Sequence, residues 1–484
     1  MRATIESGNL QGFIDGETAA YLGIPYAAAP IGNLRFQPPI APDSWSGVRD
    51  SRFYRDAPVQ ATAFANGGSK IGSEDCLYLN LWASLSQTVK KPTIVWVYGG
   101  GFEGGSASSD EFNGSEIAAA ADSIFVNFNY RVGFLGFGAL QESTEFPAST
   151  NLGFRDLIAV LEWVQLNIEA FGGDPRNVTV IGQSAGAFIT SGLLSSERYT
   201  HLYDRVFLMS GGASRFIPLA RTLTLTAEAL TSLGDDLSPQ DAPIDSLLAA
   251  QRNLIPNDMG IRNGMVPQAL GMTLDGTSSR AAIPSHPLDP VLTGHLEGKQ
   301  ILVSCDEREV FPFRKYLPQT FACESLSELA MQLQTWGIPK EKCDGLVNHY
   351  ASAAPECSPP ELRELILTDY IYRLPAARLL EAQAAAGGEC WGIEFVGTEG
   401  APMGHGDELP SLFWGTAELR KVNPDPQLKQ DLLSTVVRFA RDGVADWPAY
   451  TGDASQIRLM GASNGVRTNF YEQLLRVWEG IERP

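Results

Sequence analysis

Short apolar runs alternate with stretches of helical periodicity along most of the chain. Pro92–Tyr98 (PTIVWVY), Asp122–Tyr130 (DSIFVNFNY), Val178–Ile181 (VTVI), Arg205–Met209 (RVFLM) and Gln300–Ser304 (QILVS) are brief and rich in β-branched or aromatic residues, which is the pattern of strands buried on both faces. Between them Leu157, Leu161, Val164 and Ile168 recur at spacings of four, three and four, one face of a helix. The first 50 residues are rich in Gly and Pro and read as short strands and turns. The alternation predicts an α/β fold: a large, mostly parallel sheet with helices on both faces. Residues 215–295 and 314–388 are helical in pattern and interrupt the strand series. They are expected to roof the carboxyl edge of the sheet within one domain spanning 1–484, and that edge is where open α/β sheets bind ligands.

The 484 residues are 44% hydrophobic and 19% charged, with a formal charge of −20. This is a globular composition. Its acidity argues against nucleic acid or an anionic membrane as the main partner, since both need a basic surface. No run approaches the roughly 18–20 apolar residues of a membrane span, and the start, MRATIESGNLQGFIDG, does not read as a signal peptide. The six cysteines (Cys76, Cys305, Cys323, Cys343, Cys357 and Cys390) include no CxxC spacing, so neither zinc nor a redox pair is expected. A small-molecule ligand remains the expected partner, with no metal or other cofactor.

Candidate chemistry begins at Gly182-Gln183-Ser184-Ala185-Gly186, between the strand VTVI and the apolar segment AFITSGLLSS. A strand, a tight turn and a helix expose a serine hydroxyl above a sheet, and the flanking small residues let backbones approach. The motif alone is weak, because Gly461-Ala462-Ser463-Asn464-Gly465 also satisfies it. There Asn464-Gly465 is a hairpin signal, so Ser184 is the candidate nucleophile. Tyr98-Gly99-Gly100-Gly101-Phe102 closes an earlier strand. Three successive glycines are entropically costly, and such a loop beside a nucleophile turn can aim N–H groups at a developing oxyanion. The expected donors are Gly100, Gly101 and Ala185.

Of five histidines, only His405 lies between glycines, in MGHGDELP, where the ring can reach inward from a loop. It is the candidate base. A metal site at His405 and Asp407 lacks a supporting cluster. The acid should follow a strand, and Asp306, Glu307 and Glu309 compete directly after Gln300–Cys305.

These residues, together with ordered blocks across the chain, resemble the type-B carboxylesterase family, which includes cholinesterases, fungal lipases and bacterial esterases. The blocks include GIPYAAAPIGNLRFQPP, SEDCLYLNLW, VYGGGFEGGS, NYRVGFLGF, NLGFRD, FGGDPRNVTVIGQSAG and LMSGG. The resemblance implies an α/β-hydrolase fold and a serine hydrolase of carboxylic esters. It selects Glu307 as the acid, because Phe311 follows four residues later, with Asp306 in reserve. It also implies that Ser210 hydrogen-bonds within the triad, that Gln183 supports the site, and that Arg35–Glu74 and Arg131–Asp156 form structural ion pairs.

The departures from the family are informative. Cys76 matches a family disulfide cysteine whose partner is absent, and the second family bridge has no cysteines here. Both agree with a reducing, cytoplasmic location. Cholinesterase-like members carry a tryptophan where this chain has Asn66 and a glutamate where it has Gln183, so acetylcholine lacks its cation–π and carboxylate partners. Two alternatives to hydrolysis follow: acyl transfer or cyclisation by the same triad in an intracellular pathway, and a non-catalytic adhesion scaffold, against which the complete set Ser184, Glu307 and His405 argues.

Overall fold

In the computed structural model, which describes residues 1–61, 70–88, 90–143, 146, 148–234, 238–253, 270–296, 298–316, 318–319, 321–335, 337–452 and 455–481, eleven strands pair into one sheet. In chain order they are β1 (Phe13–Asp15), β2 (Thr18–Pro25), β3 (Tyr78–Ser84), β4 (Lys91–Val97), β5 (Ile124–Phe128), β6 (Gly173–Gln183), β7 (Arg205–Met209), β8 (Gln300–Asp306), β9 (Cys390–Val396), β10 (Gln456–Gly461) and β11 (Gly465–Thr468). Across the sheet they run β11-β10-β9-β8-β7-β6-β4-β5-β3-β2-β1. Strands β4 to β10 are mutually parallel, and the remaining pairings at both margins are antiparallel.

The central strands are unbroken apolar runs because both faces are covered. Every residue of β4 and β5 is buried. One covering helix, α1 (Leu152–Asn167), turns Leu157, Val160, Leu161 and Val164 inward. Ile168, expected to extend this face, instead opens a tight 3₁₀ turn, Ile168–Phe171. Strand β6 is longer than its β-branched core because Gly173 also pairs with Lys91, with a bulge before Val178.

The chain leaves β4 for β5 on one side and later returns as β6 on the other. This reversal makes the carboxyl end of β4 a ligand crevice. Two excursions interrupt the strand series. The first holds a short parallel pair (Phe216–Pro218 with Met272–Leu274) and helices α3 (Leu219–Leu230) and α4 (Ile244–Asn253), numbered after α2 (Ala185–Ser191), which follows β6. The second holds α5 (Leu326–Thr335), α6 (Lys340–Ala353), α7 (Pro359–Thr368) and α8 (Leu374–Ala385). A wide π-helical turn, Asp369–Arg373, joins α7 to α8.

The second GxSxG copy is the hairpin between β10 and β11, with Ser463 exposed. All six cysteines are free thiols. Both ion pairs form. Arg35 grips Glu74 through two contacts of 2.6 and 2.7 Å. Arg131 binds Asp156 through its backbone N–H and guanidinium at 2.7–2.9 Å, tying the segment after β5 to α1. The second pair is almost dry, at 4% and 0% side-chain exposure, so removing one partner strands a buried charge.

Asp156→Ala is therefore expected to destabilise the fold by about 3–5 kcal/mol. Asp50→Ala, at the exposed Arg52–Asp50 pair, should leave the denaturant midpoint unchanged. Chemical unfolding of the two variants side by side checks the contrast.

Candidate active site

Strand β6 ends at Gln183 and α2 begins at Ala185, so Ser184 alone must reverse the chain. It does so at φ 55° and ψ −126°, a backbone region that costs a non-glycine residue about 1–3 kcal/mol. The neighbouring glycines permit it. A Cβ on Gly182 would lie 2.3 Å from the Gly186 carbonyl oxygen, and one on Gly186 would lie 2.0 Å from that of Val97. The elbow is held by Ser184 N–H donating to Met209 O at 2.9 Å, while Ser184 O accepts from Ala187 and Phe188.

The glycine loop after β4 lies directly against this turn. A Cβ on Gly99 would sit 2.8 Å from Ser184 Cβ. Gly100 takes φ 129°, and its carbonyl accepts from the N–H groups of Glu103 and Gly104 at 3.1 Å. Gly101 follows at φ 62°. Ala185 opens α2, so its N–H lies in the first turn, where helical donors have no intrahelical acceptor. Gln183 is buried, with its side chain between the Gly99 and Gly406 backbones.

His405 reaches this point from the loop after β9. Its Nε2 lies 2.7 Å from Ser184 Oγ, and its Nδ1 lies 2.7 Å from Glu309 Oε2. The imidazole is packed by Tyr372 and Phe313, whose ring centroids are 5.1 and 5.5 Å away. Of the other histidines, His201, His295 and His349 are exposed, and His286 is buried, accepting from Leu288 N–H.

The carboxylate on the imidazole is Glu309, which corrects the expectation of Glu307, and of Asp306 in reserve. Glu307 N–H still pairs with Phe395 O, and its Oε2 accepts from Gly397 N–H at 3.0 Å, so its side chain is directed along the end of β9. Two residues later the chain has turned. Glu309 Oε1 reaches back to accept from Asp306 N–H at 2.8 Å, which frees Oε2 for the ring. A spacing rule cannot see that turn. The short-range signal for it is a carboxylate three residues after a strand end, placed to cap the orphaned N–H. Ser210 is also corrected: its hydroxyl donates to Asp306 at 3.2 Å and not to a triad member. Asn66 lies outside the described residues.

Behind Glu309 sits an acidic interior that sequence reading missed in part. Asp306, Glu309 and Glu408 are each 0% exposed. Burial first, then the charges of Glu408, Glu309 and Asp407, push the Asp306 carboxyl well above its ordinary range. Burial and the Glu309 charge likewise raise Glu408, to about 7. Tyr372 is raised by burial and by Glu309.

A mixed, centrally parallel sheet whose strand ends carry a strained serine against an imidazole–carboxylate pair defines the α/β-hydrolase class. The carboxylesterase family model matches residues 2–478. Fumonisin B1 esterase of Sphingopyxis macrogoltabida is 33% identical over 471 residues, covering 92% of this chain and 84% of that protein. Acetylcholinesterase of Gallus gallus is 42% identical over 221 residues, but these span only 29% of its length. Among solved structures, a Geobacillus stearothermophilus carboxylesterase superposes with a TM-score of 0.85 at 28% identity, covering 99% of this chain and 100% of that one. A PNB esterase superposes at 0.82 with 27% identity, covering 99% of both. The chain belongs to the carboxylesterase family, and it is a carboxylic ester hydrolase acting on small-molecule substrates.

The His405 Nδ1 proton, shared with Glu309, should give a low-field NMR resonance. Glu309→Gln is expected to move it upfield, and Glu307→Gln to leave it in place.

Proposed function

We propose that Ser184, His405 and Glu309 hydrolyse carboxylic esters through an acyl-enzyme, and that Gly100, Gly101 and Ala185 supply the oxyanion donors. The reading rests on the unbroken chain of two 2.7 Å contacts from Ser184 through His405 to Glu309. His405 Nε2 takes the hydroxyl proton as Ser184 Oγ attacks the ester carbonyl. The negative charge moves to the carbonyl oxygen, where the three backbone N–H groups meet it, each contributing roughly 3 kcal/mol to the transition state. Glu309 keeps the proton on Nδ1, so that Nε2 is the basic nitrogen, and stabilises the imidazolium that forms. Collapse expels the alcohol, protonated from Nε2. Water then attacks the acyl-enzyme with His405 again as base, releasing the acid and restoring the serine.

A quaternary ammonium ester is not the expected substrate. Gln183 stands beside the nucleophile, and an amide offers a cation no charge partner.

An organophosphonate should label Ser184 in equimolar amount, with no adduct in Ser184→Ala. Ser184→Ala should lower kcat on p-nitrophenyl esters by about 10⁶-fold, and Glu309→Gln by about 10⁴-fold through loss of the productive tautomer. Undiminished esterase activity in Ser184→Ala would refute the reading. A series of p-nitrophenyl esters of rising acyl length then sorts short-chain from long-chain preference.

A further inference from the structure

Asp306 and Glu408 have no direct part in the proposed chemistry, yet they are the most deeply buried acids near it. Their hydrogen bonding does not balance if both are ionised. Asp306 Oδ2 accepts from Ser210 Oγ at 3.2 Å and from Gly406 N–H at 3.1 Å. Asp306 Oδ1 and both oxygens of Glu408 receive no donor from any other described residue. Each carboxyl instead acts on the other. Two carboxylates have only acceptors, so a bond between them requires a proton. Like charges in such contact cannot both persist in a dry interior.

We propose that Asp306 and Glu408 form a carboxyl pair that shares one proton and carries one negative charge, which positions the His405 loop and sets the basicity of the imidazole. The proposal rests on the triad reading given above. Asp306 bonds Gly406, the next residue after His405, and its own N–H fixes Glu309 Oε1. One residue thus anchors both the loop that carries His405 and the carboxylate on its ring. The pair's single negative charge lies within the field of His405 and Glu309 and favours the imidazolium.

Other charged and titratable groups face this pair. Asp306 feels Glu408, Glu309 and Asp407. Glu408 feels Glu309 and His405. Cys305 and Tyr372 stay neutral, both raised by burial and by Glu309. Arg215 acts on Tyr372. Arg373 is held by Asp369 and Glu394 at 2.7 and 3.1 Å. Arg420 is held by Gly406 O at 2.7 Å and lies 3.7 Å from Asp407.

The sign of the pH effect follows. A carboxyl raised in the folded chain keeps a proton that the unfolded chain releases above about pH 3.9. Stability therefore declines as pH rises above that value toward the folded-state pKa. Asp306→Asn mimics the protonated acid and removes the penalty. Its melting temperature should gain on the wild type progressively between pH 4.5 and 8, and a pH-independent difference would overturn the shared proton.

Activity provides the second readout. Asp306→Asn retains one negative charge on Glu408, and its acid limb of kcat/KM should stay with the wild type's, whatever its height. Asp306→Asn/Glu408→Gln retains none, and its acid limb should move down by about one pH unit, a tenfold change in the imidazole's ionisation constant. Coincident limbs in the single and double variants would overturn the electrostatic role. The melting comparison needs no catalysis, so it stands even if the wild type fails to form a Ser184 adduct, which would count against the triad reading alone.

Discussion

Backbone-to-backbone approach around Ser184 is the constraint from which the site follows. The serine can stand proud of the sheet only because α2 presses on β4 where Gly186 has no side chain, and because Gly182 admits the first turn of that helix. The same closeness brings the Gly99–Gly101 loop against the elbow. Backbone N–H groups and a strained hydroxyl are thus set side by side by packing, before any substrate contributes binding energy. The parallel strands do the rest. Residues that follow β4, β6, β8 and β9 meet at one edge although hundreds of positions separate them in the chain.

The electrostatics of that edge are unusual in balance. A carboxylate orients the imidazole, and two further buried acids lie behind it whose Asp306 Oδ1 and Glu408 oxygens meet no hydrogen-bond donor among the described residues. Desolvation governs their titration, and proton sharing is the cheapest way to keep them buried. The guanidinium groups nearby are committed elsewhere: Arg308 and Arg314 to Glu364, Arg373 to Asp369 and Glu394. The interior is thereby a layered arrangement in which ion pairs stiffen the excursions while the reactive end stays anionic.

Much of this was legible in the sequence, for identifiable reasons. Runs such as PTIVWV and RVFLM declare buried parallel strands because both faces are covered. Ser184 is readable because strand, turn and helix signals coincide there, and Ser463 is dismissed because Asn464-Gly465 signals a hairpin. His405 stands out by its flanking glycines. The acid was not recoverable by spacing. Asp306, Glu307 and Glu309 differ only in how a turn of four residues directs them, and that turn is fixed by long-range partners such as Phe395 and Met403. Tyr372 and Phe313 carry no local signal at all, since their function comes from packing on a ring supplied by another part of the chain.

The π-helical turn at Asp369–Arg373 has a mechanical consequence. Widening the helix by one residue lets Tyr372 lie on the imidazole while Arg373 donates to the carbonyl of Glu307. The second excursion is thereby bolted to the floor of the crevice at two adjacent residues. Lifting it away would tear the aromatic support from the ring.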